Sequence, residues 1–279
     1  MAFERVWLGC GLNAALAGLQ VVFSCAVADM DVLSRVMYLK DGKAAWPKVL
    51  DLEAFAKTSM QKVAALGNWT EKLDALPGTI DALAKIDSLK VIVLQCLEPL
   101  LDFNPSAISN WSGAWTEASS GYILSMVRKP SCTTDVAKIT SKLVGAYMKR
   151  GSAPPTLSTA DPFAGLVKVN LSEPKWKGVL PPTLGDGVVR FVNTGKKRPH
   201  WSAETPRPSK TSKVLVASPE FEGPRLLTGN DFLKLMGYKN SVNITLLTDS
   251  QQQALLGKSL TFACACLVMD LALELEQLV

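Results

Sequence analysis

The fold is indicated by a stretch near the carboxyl end, Arg225-Leu-Leu-Thr-Gly-Asn-Asp-Phe-Leu-Lys-Leu-Met-Gly-Tyr238, and by a second one, Thr248-Asp-Ser-Gln-Gln-Gln-Ala-Leu-Leu-Gly-Lys-Ser259. Thr228 is a typical N-cap, and Asp231 stands three residues later as in a shortened capping box. Apolar residues then recur at helical spacing, namely Phe232, Leu235 and Met236. Gly237 ends the predicted helix as a C′ residue does.

The second stretch predicts another helix, which opens at Asp249 or Ser250 and stops at Gly257, before a largely apolar helix over 260–278. Together the two stretches resemble the closing segment of the DNA (cytosine-5) methyltransferase family. There an Arg-x-Leu-Thr-x-x-Glu helix ends in Gln-Gly-Phe, and a later Leu-Gly-Asn-Ser leads into the last helix. The departures in this sequence are Asp231 for Glu, Met236 for Gln and Lys258 for Asn.

Composition excludes several classes of site. The chain has 279 residues, enough for one large or two small domains, and a net charge of +5 that matters only where it is clustered. Six cysteines form no CxxC pair, and one histidine, His200, leaves no zinc set and no histidine-based triad. We therefore expect no metal. Free thiols in apolar runs favour an intracellular protein, nuclear if the source is eukaryotic.

Residues 6–28 carry no charge before Asp29 and allow two interpretations. One is a signal anchor or membrane span, and the other is a buried strand–helix–strand interrupted by glycines and polar residues. We favour the second, because residues 5–51 read as a βαβ unit: strand 5–8, helix 12–19, strand 21–27, helix 31–39 and strand 45–50. Gly9 and Gly11 follow the first strand, where glycines either form a tight turn or let the backbone approach a ligand.

The resemblance implies an S-adenosylmethionine site in this unit. The family's first loop is Gly-x-Gly-Gly, and here Leu12 replaces the last glycine. Ala26 stands where an acid holds the ribose, with Asp29 the nearest carboxylate, and Asp51 fits the acid that faces adenine. The resemblance assigns cofactor binding to Gly9, Gly11, Asp29, Asp51, Gly257 and Ser259. Since three expected side chains differ, we expect cofactor binding to be weak or lost.

The catalytic residues of the family are missing. Residues 53–86 read as helical, and 90–94 as a strand that continues into Gln95-Cys96-Leu97-Glu98-Pro99-Leu100-Leu101, similar to the family's Glu-Asn-Val-x-Gly-Leu-Leu. Gln95 replaces a glutamate that protonates the target base, and an amide cannot supply that proton. No Pro-Cys pair lies between Asp51 and Gln95, and that segment looks too short for the family's fourth strand and catalytic loop. Cys96 is a core thiol or, as an alternative, a displaced nucleophile.

Downstream, residues 110–120 read as a polar loop with two tryptophans, 121–127 as a strand and 134–149 as a helix. The family's Gln-x-Arg-x-Arg signature is not visible here. From 151 to 224 prolines, glycines and cations are dense, with short strands at 166–169 and 188–192. This segment lies where the family places its target-recognition domain. A basic, aromatic-containing segment fits DNA contact, and the alternative is a solvated surface loop.

The residues expected to bind DNA share a positive charge and positions within this basic segment: Arg190, Lys196, Lys197, Arg198, Arg207, Lys210 and Lys213. The predicted fold is α/β, a reduced Rossmann-like S-adenosylmethionine-dependent methyltransferase lobe over 1–150. A small loop-rich target-recognition-like domain over 151–224 follows, and C-terminal helices over 225–279 return to the lobe.

We expect a catalytically silent cytosine-5 methyltransferase-like protein that binds DNA or pairs with an active methyltransferase or another protein. One alternative is an active methyltransferase with an atypical or partner-supplied catalytic loop. A second is a structural subunit that uses the scaffold as a shape, with the apolar faces of its terminal helices against a neighbour.

Overall fold

The structure, a computed structural model, describes most of the chain. The described residues are 2–9, 11–23, 27–40, 42–57, 61–69, 73–100, 102–118, 121–129, 135–150, 166–184, 188–203, 213–238 and 242–279. The chain divides into two compact units. The first unit comprises Met1–Pro154 and Ser259–Val279, and the second comprises Pro155–Lys258. The chain thus rejoins the first unit at Ser259 rather than at residue 225, where we had drawn the boundary.

The first unit contains eight strands and six helices among its described residues. The strands are β1 (Glu4–Leu8), β2 (Gln20–Phe23), β3 (Met37–Lys40), β4 (Lys43–Ala45), β5 (Val63–Trp69), β6 (Leu89–Cys96), β7 (Trp111–Ala118) and β8 (Gly121–Arg128). The helices are α1 (Gly11–Ala17), α2 (Val27–Leu33), α3 (Leu52–Ala56), α4 (Leu76–Ala84), α5 (Val136–Arg150) and, after the second unit, α8 (Phe262–Glu276).

The core of the first unit is a six-stranded sheet with the order β2-β1-β5-β6-β8-β7. The first four strands are parallel, and β8 and β7 are antiparallel additions at one edge. All seven residues of β5 are buried. A parallel strand buried in this way has cover on both faces, because both of its alternating sets of side chains need apolar neighbours.

That cover comes from helices that precede and follow the sheet strands. Leu76, Ile80 and Leu83 of α4 join alternate strand residues in one buried cluster, while α8 contacts β5 and β6 and α5 lies beside α8. The expected α/β lobe with a parallel central sheet is confirmed. The described residues within 6–28 belong to β1, α1, β2, the start of α2 and their connections.

Two of the predicted elements are wrong within the lobe. The helical interpretation of 53–86 missed β5, whose short apolar run Val-Ala-Ala-Leu cannot be distinguished from a buried helix by periodicity alone. The polar loop predicted over 110–120 is β7, an edge strand in which only Trp111 is fully buried. Because an edge strand needs few apolar residues, its composition resembled that of a loop.

The βαβ region before Asp51 also differs in detail. The helix predicted over 31–39 begins earlier, as α2, and its second half is β3 instead. β3 and β4 form an antiparallel hairpin outside the six-stranded sheet. Of the strand predicted over 45–50, only Ala45 belongs to a strand, β4, and Val49 is a single bridge residue, so no strand element directly precedes Asp51.

The C-terminal segment is fastened to the first unit by polar contacts. Asn13 of α1 donates through Nδ2 to the carbonyl of Leu260 at 3.3 Å and accepts its N–H through Oδ1 at 3.2 Å. Arg5 of β1 forms a bidentate ion pair with Glu276 of α8 at 2.8 and 2.5 Å. These contacts hold the two ends of α8 against α1 and β1, which are remote in sequence.

The second unit has a small antiparallel sheet and two helices among its described residues. Its elements are β9 (Arg190–Asn193), β10 (Val214–Ala217), β11 (Arg225–Leu226), α6 (Gly229–Leu235), β12 (Val242–Asn243) and α7 (Asp249–Gly257). The sheet order is β11-β10-β9, over a core that includes Trp176, Val192 and Leu215. Thr228 caps α6 as predicted, through its backbone N–H and the Asp231 carboxylate at 2.8 Å. The cap of α7 is Thr248, one residue before the predicted Asp249.

Within the described residues, no single helix is long and apolar enough to cross a membrane, although α7 and α8 would satisfy the length and composition together as a bent pair.

Candidate functional site

The carboxyl ends of β1, β5 and β6 lie side by side at one edge of the parallel sheet. Leu8 pairs with Gly67, and Asn68 pairs with Gln95, so Gly9, Asn68 and Gln95 occupy neighbouring positions there. In open α/β sheets this edge is where ligands bind. Gly9 and Gln95, which the resemblance linked to cofactor binding and to catalysis, therefore meet at one place beside Asn68.

Gly9 and Gly11 are required by the packing of the protein itself. Gly9 has a φ of +96°, and a Cβ built on it would lie 2.2 Å from the backbone oxygen of Asn68. A Cβ on Gly11 would lie 2.6 Å from the side chain of Leu33. The space that each missing Cβ leaves is thus filled by protein atoms, and Leu12, which replaces the family's last glycine, is fully buried. These two glycines do not form an open cradle for S-adenosylmethionine.

The acids expected to hold the cofactor are placed as follows. Asp51 is exposed and serves as the N-cap of α3, where its Oδ1 accepts the N–H of Ala54 at 2.6 Å. Asp29 lies within α2, and Ala26 lies outside the described residues. Gly257 is the last residue of α7 in the second unit, whereas Ser259 is buried in the first unit. No ligand-binding role follows from the position of Asp51, which already has a structural role.

Two neutral amides stand at the ends of β5 and β6. The exposed fractions of Asn68 and Gln95 are 1% and 3%, and Gln95 donates through Nε2 to the carbonyl of Cys96 at 3.1 Å. Gly121 at the start of β8 leaves room for Gln95, because a Cβ there would lie 3.0 Å from Nε2. Amides donate and accept hydrogen bonds, but at neutral pH they neither release a proton nor attack carbon.

Cys96 is the last residue of β6 and pairs with Trp69 in the sheet. Burial raises the pKa of its thiol to about 12. Since the thiolate is the nucleophilic form, a thiol with this pKa is inert at neutral pH. The geometry favours the core-thiol interpretation over the displaced nucleophile.

The segment before Gln95, which we expected to be too short for both the family's fourth strand and its catalytic loop, does contain a parallel strand, β5. The residues that end it are Gly67, Asn68 and Trp69, and Thr70 follows outside the described residues. No cysteine occurs between Asp51 and Gln95. Asn68 was missed as a site residue, although the apolar run ending in Gly-Asn was a signal for a strand that leads into a loop.

Among the described residues, the cations expected to bind DNA lie at two ends of the antiparallel strand pair β9 and β10 in the second unit. Lys196, Lys197 and Arg198 are exposed just after β9, and exposed Lys213 lies beside them because its carbonyl accepts the N–H of Thr194 at 2.9 Å. Arg190 lies at the opposite end of β9, where it pairs with Ala217.

Within the described part of the chain, the cluster of Lys196, Lys197, Arg198 and Lys213 has no ion-pair partner. Trp201 lies near this cluster in sequence and donates its indole N–H to the carbonyl of Leu180 at 2.7 Å. Arg207 and Lys210 lie outside the described residues. Four of the seven expected residues are therefore grouped in one unpaired basic surface.

The parallel sheet and its helical cover define a class of fold: a Rossmann-like α/β lobe, accompanied by a second, smaller unit. The solved structure of the Dnmt2 methyltransferase of S. pombe is similar to this protein, with a TM-score of 0.58, 13% sequence identity, and coverage of 97% of this chain and 98% of that chain. No protein-family model matches the sequence, and no curated protein matches it. The fold matches that of Rossmann-like S-adenosylmethionine-dependent methyltransferases, and here the space beside Gly9 and Gly11 is filled by protein atoms.

Proposed function

We propose that this protein is a catalytically silent relative of the cytosine-5 methyltransferases that binds DNA. The observation that carries the proposal is the buried pair Asn68 and Gln95, which ends β5 and β6 where the resemblance places the nucleophile loop and the glutamate. The amides pack with their neighbours in the same edge of the sheet, and neither group does the covalent or proton-transfer chemistry of methylation. Cys96 does not replace them, because its thiol is buried and protonated.

The absence of catalytic activity is tested by measuring the incorporation of labelled methyl groups from S-adenosylmethionine into duplex DNA in the presence of the full chain. We expect no incorporation above a protein-free control. A matched attempt to restore the chemistry is the Gln95→Glu variant, which returns the carboxyl group alone and should also stay silent, because no cysteine lies between Asp51 and Gln95, where the resemblance places the nucleophile. Incorporation by the unaltered chain would refute the proposal.

Cofactor binding is proposed to be weak or lost, because the protein fills the space beside Gly9 and Gly11. Isothermal titration of S-adenosylmethionine should show no binding at millimolar concentration. The informative variant is Asp51→Asn, because asparagine keeps the N-cap of α3 while it removes the carboxylate. Micromolar binding that disappears in this variant would show a working cofactor site and contradict the proposal.

DNA binding is supported by the unpaired cations after β9. Each lysine or arginine on a phosphate releases condensed counterions, so the logarithm of the affinity falls with the logarithm of salt concentration. Replacement of Lys196, Lys197 and Arg198 by glutamine should therefore lower the affinity for duplex DNA and reduce the salt slope by about 2.7, at about 0.9 per contact.

The control removes three exposed lysines of equal charge from α5 in the first unit: Lys138, Lys142 and Lys149. Fluorescence anisotropy over a salt series measures both variants. We expect the salt slope of the control variant to differ from that of the original protein by no more than about 0.9, the value of one phosphate contact. Equal losses in the two variants would mean that binding follows net charge alone, and the basic cluster would then have no special role.

One version of the active-methyltransferase alternative can be tested directly. In this version a second protein supplies the catalytic loop. Labelled methyl transfer in the presence of a cytosine-5 methyltransferase that keeps its own nucleophile, but whose cofactor site is disabled by substitution, would reveal such complementation. The silent-protein proposal predicts no transfer from that mixture.

The structural-subunit alternative is favoured by the outward side of α8, where the exposed fractions of Phe262 and Leu273 are 46% and 45%. In a two-fold dimer the same apolar surface of α8 would pack against its copy in the other subunit. The partner to test is therefore a second copy of the chain. Sedimentation equilibrium should then show a dimer that the Phe262→Ser and Leu273→Ser double variant dissociates, whereas a monomer at high concentration would remove this alternative.

A further inference from the structure

The β3–β4 hairpin of the first unit lies outside the site and outside the six-stranded sheet. Its two strands pair Tyr38 with Ala45, Leu39 with Ala44 and Lys40 with Lys43. Gly42, in the turn, has a φ of +73°, which suits the Asp-Gly sequence of a tight hairpin. The hairpin is anchored through Tyr38, which is buried, while its tip is exposed.

Lys40 and Lys43 face each other directly across the hairpin. Like charges in directly opposed positions destabilise an antiparallel pair. Both side chains are exposed, and neither has an ion-pair partner among the described residues. Lys48, a few residues on, is exposed as well. An anion that both opposed lysines contact would relieve their repulsion, so this tip is suited to phosphate.

The same hairpin exposes two large apolar side chains. The exposed fraction of Leu39 is 53%, and that of Trp46, which directly follows β4, is 51%. Tryptophan is rarely left this exposed without a partner, because it carries the largest apolar surface of any side chain. Trp46 lies between Lys43 and Lys48 in the sequence, so a flat apolar ring is flanked by two cationic residues.

We propose that this hairpin is a second nucleic-acid contact, in which Lys40, Lys43 and Lys48 bind phosphates and Trp46 stacks on an unpaired base. The inference rests on the proposed function and extends it from duplex DNA to a strand with an accessible base. Base stacking on an aromatic ring between cations is the arrangement by which proteins hold single strands without reading their sequence. A duplex hides its base faces, so the ring would gain little there.

A protein or a lipid surface would also cover apolar residues, but the opposed lysines favour a polyanion with closely spaced charges. Successive phosphates of one strand provide such charges. The hairpin belongs to the first unit and the Lys196–Arg198 cluster to the second, so the two contacts can be removed independently of each other.

The experiment measures fluorescence anisotropy of a labelled single-stranded oligonucleotide and of its duplex with the full chain, over a salt series. We expect the Trp46→Ala variant to lose about tenfold in single-strand affinity, the loss typical of one stacked base, and the Trp46→Phe variant to retain most of it. Duplex affinity should change less than about twofold in both. The Lys40→Gln and Lys43→Gln double variant should reduce the single-strand salt slope by about 1.4, at about 0.7 per contact.

The control of equal charge is the Lys138→Gln and Lys142→Gln double variant on α5, which should leave single-strand binding unchanged. If the hairpin variants bind single strands as tightly as the original protein, this inference is wrong, and the duplex result with the Lys196–Arg198 variant still decides the proposed function. Equal losses on duplex and single strand in Trp46→Ala would also overturn the stacking role. A chain that binds neither form refutes both.

Discussion

The double hydrogen bond between Asn13 and Leu260 gives a sharp test of how the C-terminal segment is held. Asn13 is 1% exposed on α1, and its amide both donates to and accepts from the backbone of Leu260. Replacement by alanine removes two bonds in buried surroundings. A buried group that loses its bond costs about 1–3 kcal/mol, so Asn13→Ala should lower the free energy of unfolding by about 2–4 kcal/mol.

Urea denaturation followed by tryptophan fluorescence measures this change. The control is Asn104→Ala, which removes one exposed bond of 3.0 Å that the N–H of Ser106 donates to Asn104 Oδ1. Its cost should be about 1 kcal/mol or less, since water replaces the lost partner. A value for Asn13→Ala below that of the control would refute the view that this contact fastens the segment.

The Asn13→Asp variant separates hydrogen bonding from packing, because the two side chains have nearly the same shape. At neutral pH the ionised carboxylate keeps the bond from the N–H of Leu260 but repels its carbonyl, so this variant should be less stable than Asn13→Ala. Burial and that carbonyl raise the pKa of the new carboxyl in the folded state. The destabilisation relative to the original protein should therefore diminish as pH falls through this raised pKa and grow as pH rises. A pH-independent difference would contradict the assigned geometry.

Three further predictions concern the sheet. Gly67→Ala places a Cβ 1.9 Å from the backbone oxygen of Leu8 and should lower the free energy of unfolding by about 3 kcal/mol or more. Its control is Gly78→Ala, in open space within α4, which should raise the free energy of unfolding by up to about 1 kcal/mol. The urea midpoints of the two variants measure both changes. Arg128 donates three bonds of 2.9 Å to the carbonyls of Ala84, Ile86 and Leu89, so Arg128→Lys, with a single ammonium, should lower the melting temperature by an amount equivalent to about 2 kcal/mol. Burial raises the pKa of Cys96 from 9.0 to about 12, so the unfolded chain releases this proton first and stability falls as pH rises from 9. Between pH 9 and 10, the free energy of unfolding of the Cys96→Ala variant should fall by about 1 kcal/mol less than that of the original protein, as measured by chemical denaturation. If the two proteins have the same pH dependence of stability, the thiol is not buried as described.

The parts of the fold that the sequence predicted are those with local signals. Caps and a terminal glycine indicated α6, and the residues after Gly237 led correctly to two more helices. β1, β6 and β8 are apolar runs bounded by polar residues or turns, and these boundaries are visible without any tertiary information. The resemblance at the two ends of the chain added the parallel sheet, which no local pattern specifies.

The missed elements are those whose identity depends on neighbours. β5 is apolar apart from Asn68 near its end, and only its place between β1 and β6 makes it a strand. β3 pairs with β4 outside the large sheet, next to Gly42 with its φ of +73°, and hydrophobicity does not indicate this pairing. For the site, the sequence identified Gln95 and the glycines, but that Asn68 pairs with Gln95 follows only from the register of two strands.

The return of the chain to the first unit at Ser259 has a consequence for synthesis on the ribosome. Because a nascent chain emerges from its amino end, the strands of the large sheet are available long before α8, which contacts β5 and β6. Until residue 276 has emerged, the face that α8 covers is exposed apolar surface. During that interval the chain presents a chaperone-binding surface, and the ion pair of Arg5 with Glu276 is among the last contacts to form.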